Sequence, residues 1–194
     1  MKKISKIALI TLLAITPTIS NAMAEDGTID FNGAVRDSTC EIKAGGDGVT
    51  SGAGTADFTV TLPTVAVTAL DGIGKTAGEI PFYIALSGTT CTNGNAKLYF
   101  EPASSQAWIS DSGDLKNDVN PTTGGGADKV EVRLTDKSKN KINVKTVNSE
   151  ATALTQTIAN NKAQFDFYAM YVSTAAAVKA GTVHSRVIYS ISYP

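Results

Sequence analysis

The chain of 194 residues has few of the side chains that usually carry catalysis or bind metals. It contains one histidine, His184, one tryptophan, Trp108, and two cysteines, Cys40 and Cys91. A Ser–His–Asp arrangement would need the single imidazole beside a nucleophile and a carboxylate, and no accompanying motif points to one. The acidic and glycine-rich stretches lack the spacing of an EF-hand or a phosphate-binding loop. The sequence therefore predicts no enzyme, no metal site and no cofactor, and His184 is interpreted as a surface or packing residue.

Long hydrophobic runs are also lacking. The apolar run Ile7–Ile15 is too short for a membrane-spanning helix, which needs about 20 residues, and no later segment is apolar enough to cross a bilayer. Three lysines precede this run, and the tripeptide AMA that ends at Ala24 fits a small-x-small cleavage site. These features predict that residues 1–24 are a cleaved signal peptide rather than a membrane anchor, and that the exported chain begins at Glu25.

No charge of one sign dominates the exported chain. The leader takes three lysines and no acidic residue with it, so 17 basic and 18 acidic residues become 14 and 18, for a net charge of −4. A mildly acidic domain gives no electrostatic reason to bind nucleic acid or an anionic membrane. The remaining length suits one domain with a real hydrophobic core.

The two cysteines of this exported chain predict one disulfide bond between Cys40 and Cys91. Closing so long a loop stabilises a fold by roughly 4 kcal/mol when the effect is treated as chain entropy. The alternatives are a metal pair or a reactive thiol. Both lack companions, because the sequence has no Cys-x-x-Cys and only one histidine.

Short segments with alternating apolar and polar residues recur along the exported chain. Turn-forming residues separate them, which predicts an all-β antiparallel sandwich. The segments with aligned apolar residues are 58–62, 79–86, 96–100, 130–134, 142–146, 165–171 and 187–193. The stretch Thr152–Asn161 is predicted to make a helical turn. Trp108 is predicted to pack against the sandwich, with stacking on a sugar as the alternative.

Both ends of the exported chain read as strands. In EDGTIDFNGAVRDSTC, which begins at Glu25, the odd positions 27–35 form one face, and the last alternating segment runs to the end of the sequence. A sandwich strand at a chain end leaves an edge open unless something covers it. One spare strand and one open edge predict β-strand addition between molecules. Head-to-tail addition of this kind is heterologous and builds open filaments.

Four features together make the exported chain resemble the pilin subunits of chaperone–usher fimbriae, notably the major subunits of type 1 and P pili. The segment GTIDFNGAV resembles the family's N-terminal donor segment, with Gly33 at its hallmark glycine. Cys40 and Cys91 follow at the family's positions, the latter after IPFYIALSGTT. Gly181 and the penultimate Tyr193 match the C-terminal signature.

This resemblance implies an incomplete immunoglobulin-like sandwich that lacks its last strand and is completed by donor-strand exchange. It divides the chain into a signal peptide (1–24), a donor-strand segment (25–38) and a pilin domain (39–194). The implied donor residues are Gly27, Ile29, Phe31, Gly33 and Val35. The implied edge of the acceptor groove is Gly181, Val187, Tyr189, Ile191 and Tyr193. Val35 is expected to make the first contact during exchange.

The resemblance also implies partners and a location. A periplasmic chaperone would lend a strand to the groove, an outer-membrane usher would exchange it, and neighbouring pilin subunits would form a head-to-tail polymer. The expected function is that of a structural subunit of a surface fimbria that supports cell adhesion, with host receptors contacted through a separate tip adhesin. A minor adaptor or tip-proximal subunit is one alternative, and a secreted sugar-binding protein is another.

Overall fold

The structure is a computed structural model that describes residues 40–102, 106–149 and 151–193. The predicted signal peptide and donor-strand segment lie outside these ranges. Within the described ranges, no helix has the length and apolarity needed to cross a membrane. Two 3-10 helices span Val67–Leu70 and Gln106–Trp108. The strands are Glu41–Gly45 (β1), Val49–Ser51 (β2), Thr59–Val60 (β3), Thr76–Ser87 (β4), Gly94–Phe100 (β5), Leu115–Lys116 (β6), Val130–Asp136 (β7), Leu154–Ile158 (β8), Lys162–Ser173 (β9) and Tyr189–Ser192 (β10).

The strands form two main sheets that share one hydrophobic core. The larger sheet has the order β1-β4-β9-β7-β6, the smaller has the order β10-β5-β8, and β2 and β3 form a two-stranded ribbon. The paired strands are antiparallel throughout. Inward side chains of both main sheets belong to the same cluster of buried residues. The predicted all-β sandwich is confirmed.

The strand alternation predicted from the sequence produces this core directly. In β5, Ala96, Leu98 and Phe100 are buried, and the residues between them are half-buried. In β9, Phe165 and Phe167 are buried in the same way, because successive side chains of a strand point to opposite faces. The core therefore forms where inward positions of the two sheets meet.

The long strands β4 and β9 define two ends of the sandwich. At one end Ser87 pairs with Lys162, close to Cys40 and Cys91, and we call this end the disulfide pole. At the other end Thr76 pairs with Val172, and we call this end the distal pole. Each strand has 12 residues, so the poles lie about 40 Å apart at a rise of about 3.3 Å per residue.

The predicted disulfide bond is present. Cys40 is bonded to Cys91, and both residues are buried. The bond joins the start of β1 in the larger sheet to the loop before β5 in the smaller one. The amide of Asn161 donates a hydrogen bond to the Cys91 carbonyl at 2.8 Å. The disulfide pole is therefore tied across both layers of the sandwich.

Two elements predicted from the sequence are wrong. The segment 142–146 is not a strand: Ile142 and Val144 are buried, but the chain turns at Asn143, whose carbonyl accepts a hydrogen bond from the Thr146 amide at 3.0 Å. The predicted helical turn at Thr152–Asn161 is instead strand β8, which pairs with β5. Its Thr-rich sequence suits a strand, and pairing with β5 buries Ile158.

A buried ion cluster, which no sequence pattern indicated, joins β7 to the loops beside it. Asp114 is almost fully buried and accepts hydrogen bonds from the Arg133 Nε and Nη2 atoms at 3.0 and 2.9 Å. Lys141 Nζ donates to the same carboxylate at 2.8 Å, and the Ser112 hydroxyl donates at 2.9 Å. Burial alone would raise the pKa of Asp114, but these donors outweigh it and lower the pKa.

Replacing Asp114 with Asn is expected to lower the free energy of unfolding by about 2 kcal/mol, because Arg133 and Lys141 lose their charged partner. The pKa of Asp114 is lower in the folded protein than in the unfolded chain. The stabilisation is therefore fully present above the pKa that Asp114 has in the unfolded chain, and it is lost as the pH falls through the pKa that Asp114 has in the folded protein. Denaturant unfolding at neutral and acidic pH measures both effects. The control is Asp111→Asn, whose exposed pairing with Lys145 is expected to add nothing measurable. Equal losses for both variants would contradict this account.

Candidate strand-binding groove

An open groove runs between two segments that are only partly paired with other strands. One rim is Ala56–Leu62, and the other is the C-terminal run Val183–Ile191. The cavity between them is about 680 Å³. Its floor comes mainly from the inward face of the larger sheet, so that the groove opens directly onto the hydrophobic core. The floor residues include Phe82, Ile84, Leu115, Val132, Leu134, Phe167, Ala169 and Tyr171.

Both rims were predicted as longer strands than the structure contains. Of the segment 58–62 only Thr59–Val60 is a strand, and of the segment 187–193 only Tyr189–Ser192 is one. Within the described ranges, β10 pairs with β5 on one side and with no strand on the other. A strand with an open edge lacks hydrogen-bond partners on one side. We attribute the shortening of both rims to this lack of partners along the groove.

The C-terminal run keeps the alternation of a half-buried strand despite its open edge. Every second side chain is partly buried and packs against the main core, and those between are exposed. The partly buried apolar residues are Val183, Val187, Tyr189, Ile191 and Tyr193. A further strand beside the open edge of β10 would therefore extend the same hydrophobic layer with its inward side chains.

Tyr189 reaches across the groove from one rim to the other. Its hydroxyl donates a hydrogen bond to the Ala56 carbonyl at 2.7 Å, and its ring centroid lies 6.3 Å from that of Phe58. Burial, together with the nearby Asp57 and Tyr193, raises the pKa of Tyr189 to about 12. The phenol is therefore neutral at ordinary pH, and it narrows the groove at this level.

At the distal pole, hydrogen bonds hold the C-terminal rim of the groove to residues 117 and 118 of the same chain. The Asn117 amide nitrogen donates to the Thr182 carbonyl at 2.9 Å, and its oxygen accepts from the His184 amide at 3.0 Å. His184 Nδ1 lies 2.7 Å from an Asp118 carboxylate oxygen, and the imidazole is largely exposed. His184 is thus a surface residue on the rim. Within the described ranges, no group of three or more His, Cys, Asp or Glu side chains could hold a metal ion.

Trp108 packs against the same rim. The Arg186 guanidinium lies 4.3 Å above the centre of the indole ring, and Arg186 also contacts the Asp118 carboxylate at 3.3 Å. One face of the indole is therefore occupied by a side chain of the C-terminal run. This contact fits the interpretation of Trp108 as a packing residue rather than a platform for sugar.

The structure brings together most of the residues predicted to form the acceptor edge. Val187, Tyr189 and Ile191 line the groove, and Tyr193 packs against the core beside them. Gly181 lies outside the lining, at the distal pole, where an added Cβ would collide with the backbone of Gly126 and Ala127. The acceptor role of all five stays a prediction. The donor residues Gly27, Ile29, Phe31, Gly33 and Val35 lie outside the described residues.

The opposite rim and the floor of the groove were not predicted as parts of a site. Phe58, Val60 and Leu62 did alternate in the sequence, but an alternation also describes an ordinary paired strand. The pairing of distant segments in space is what makes them a rim, and a single sequence does not show such pairing. Most of the floor residues lie in segments predicted as strands, but Leu115 lies outside them. Within the described ranges the floor faces the cavity because one strand position of the sandwich is open.

Known proteins with similar sequences are fimbrial subunits. A family model described as fimbrial protein matches residues 29–194. The major fimbrial subunit SMF-1 of Stenotrophomonas maltophilia is 36% identical over 189 residues, which cover 94% of this chain and 99% of that protein. The F17 fimbrial protein of Escherichia coli is 33% identical over 194 residues, which cover 97% of this chain and 98% of that protein.

Solved structures with a similar fold come from chaperone–usher pili. One is a subunit in the structure of a chaperone–usher pilus that addresses rod uncoiling. The match covers 92% of this chain and 100% of that subunit, with a TM-score of 0.55 and 19% identity. The P pilus rod subunit PapA covers 86% of this chain and all of its own, with a TM-score of 0.51 and 17% identity. At these identities the likeness concerns the fold alone, and the sequence matches carry the assignment: the chain belongs to the fimbrial protein family.

Proposed function

We propose that this protein is a structural subunit of a bacterial surface fimbria that polymerises by donor-strand exchange. The observation that carries the proposal is the groove beside β10, where the part of the immunoglobulin-like sandwich that the structure describes lacks a strand and its hydrophobic core is open. One relative that is named a major fimbrial subunit, SMF-1, is similar over nearly its whole length and supports a role in the fibre shaft. A separate sugar-binding protein would need no spare N-terminal strand.

The donor segment, residues 25–38, supplies the missing strand to another copy. Its backbone pairs with the open edge of β10, and its odd-numbered side chains face the core. Burying Ile29, Phe31 and Val35 contributes roughly 5 kcal/mol from apolar contact alone. Gly33 fits where the groove is shallow, and a glycine that would weaken an ordinary strand here allows the strand to seat.

The order of partners follows from the exposed core. An open groove of apolar residues would aggregate if it met water during export, so a periplasmic chaperone covers it with a strand of its own. At an outer-membrane usher the donor segment of the next subunit replaces that strand. No energy source is needed if the donor segment packs better than the chaperone strand. Each copy then both donates and accepts, which builds an open filament.

Replacing Ile29 with Ala tests the inward positions of the donor segment. The variant loses part of the buried apolar surface, about 2 kcal/mol, which corresponds to roughly a thirtyfold weaker or slower exchange. The measurement is the rate at which purified chaperone-bound subunits form polymers that resist detergent. The matched control is Asp30→Ala, whose side chain points away from the groove by the same alternation and is expected to polymerise at the normal rate.

A reversed ranking of these two variants would show that the even-numbered positions face the groove. Equal and normal rates for both would remove the donor role of the segment. A wild-type subunit that never forms detergent-resistant polymers with its chaperone and usher would remove the proposed function itself.

A further inference from the structure

Ile73 is a large hydrophobic residue that the fold holds in solvent. It is 75% exposed, compared with 43% for Val67 and 45% for Ile188, the other exposed large hydrophobic residues of the described ranges. Its loop is fixed to the end of β9: the Gly74 amide donates to the Ser173 carbonyl at 2.9 Å, and the Lys75 amide donates to the Ser173 hydroxyl at 3.0 Å. The exposure of Ile73 is therefore a property of an ordered loop.

The loop that carries Ile73 lies at the distal pole, beside one end of the groove. It directly precedes Thr76, the first residue of β4. Leu70, three residues before Ile73, is buried in a small cluster that also contacts Tyr171 and Val183. Tyr171 and Val183 line the groove, so the exposed isoleucine is close to the end where the C-terminal run enters it.

The direction of the donated strand decides which part of the neighbouring copy reaches this pole, and this step rests on the proposed function. The sheets of an immunoglobulin-like sandwich are antiparallel, so the strand that completes this one runs antiparallel to β10. The C-terminal run proceeds from Val183 at the distal pole towards Tyr193 near the disulfide pole. A donated segment therefore ends, at Val35, at the distal pole of the accepting copy.

The chain between the donated strand and the body of its own subunit is short. Only residues 36–39 separate Val35 from Cys40. Fully extended, the five steps from Val35 to Cys40 span at most about 17 Å. Cys40 marks the disulfide pole of the donating copy. The disulfide pole of one copy must therefore lie within about 17 Å of the distal pole of the next.

We propose that the Ile73 loop docks on the disulfide pole of the copy that donates its strand. The occupant is a second copy of this chain, and the contact is separate from the groove. Val67, on the 3-10 helix just before the loop, adds apolar surface to the same pole. The contact fixes the angle between consecutive subunits, so the fibre is stiffer than a chain of sandwiches joined by free linkers.

Photocrosslinking in assembled fibres tests this contact. The photoreactive residue p-benzoylphenylalanine replaces Ile73 in the full chain, and fibres are assembled with the chaperone and usher from an isotope-labelled and an unlabelled pool. After irradiation, reduction and trypsin digestion, we expect links between copies to residues 40–43 or 88–97 around the two cysteines. The control probe replaces Tyr168 in the middle of the outer face of the larger sheet, and it is expected to give no links to these residues.

A second variant separates docking from polymerisation. Ile73→Asp is expected to give detergent-resistant polymers in normal yield, because the groove is intact, while the persistence length of the fibres in electron micrographs falls at least twofold. Fibres that assemble normally, with an Ile73 probe that links to another surface or to nothing, would overturn the docking contact and leave the proposed function standing. If the wild-type chain forms no strand-exchanged polymer, the docking contact and the proposed function are both wrong.

Discussion

A chain that lacks residues 25–35 is expected to form no fibres at all. The groove beside β10 lies wholly within the described residues, so the truncated chain keeps it and is expected to bind the periplasmic chaperone. What it loses is the strand that it would donate. Detergent-resistant polymers from cells form a ladder of gel bands, one band for each number of joined subunits. This ladder is expected to disappear completely.

The truncated chain also gives an internal control. When it is produced together with the intact chain, fibres are expected to return, and they should contain the truncated copy at one end at most, because it can accept a strand but cannot donate one. A chain with Asp30→Ser and Asn32→Ser, which alters only positions proposed to face outward, is expected to assemble normally. Ladders formed by the truncated chain alone would show that subunits join by another route.

Replacing Gly33 with Trp is the second change with a very large expected effect. The proposed alternation of the donor segment turns position 33 inward, into a groove whose two rims are already bridged by the hydrogen bond from the Tyr189 hydroxyl to the Ala56 carbonyl. An indole there overpacks the site and also prevents the backbone beside it from pairing with β10. A combined penalty of about 3 kcal/mol or more corresponds to a loss of over a hundredfold in incorporation.

The neighbouring position provides the matched control for this substitution. Asn32→Trp introduces the same indole one residue earlier, on the face that points away from the groove, and is expected to enter fibres at near normal yield. The measurement is the share of each variant in fibres assembled together with the wild-type chain. Normal incorporation of Gly33→Trp would show that the assigned alternation is wrong, even if the segment is still the donor.

Sequence reasoning predicted the strands whose apolar faces are buried between two sheets. Leu98 in β5 and Phe167 in β9 are inward positions of regular ladders, and alternation specifies such positions well. It failed where apolar residues are buried without a ladder. Ile142 and Val144 alternate as a strand would, but they reach the core from a turn.

The site was only half predictable for a related reason. One edge could be inferred because the segment 187–193 alternates like a strand, and the structure places Val187, Tyr189 and Ile191 along the groove. The rim at Ala56–Leu62 could not, because its role depends on which distant segments face each other. The ion cluster at Asp114 was missed for the same reason, since Arg133 and Lys141 are far from it in the sequence.

A structure of the assembled fibre, determined by electron cryo-microscopy at a resolution that traces side chains, tests the central claim most directly. We predict that residues 25–38 of one copy lie between β10 and the Ala56–Leu62 rim of the next, antiparallel to β10, with Ile29, Phe31 and Val35 facing the floor of the groove. A fibre in which each groove is filled by the N-terminal segment of the same copy, or in which the groove takes no part in the contact between subunits, would contradict the account.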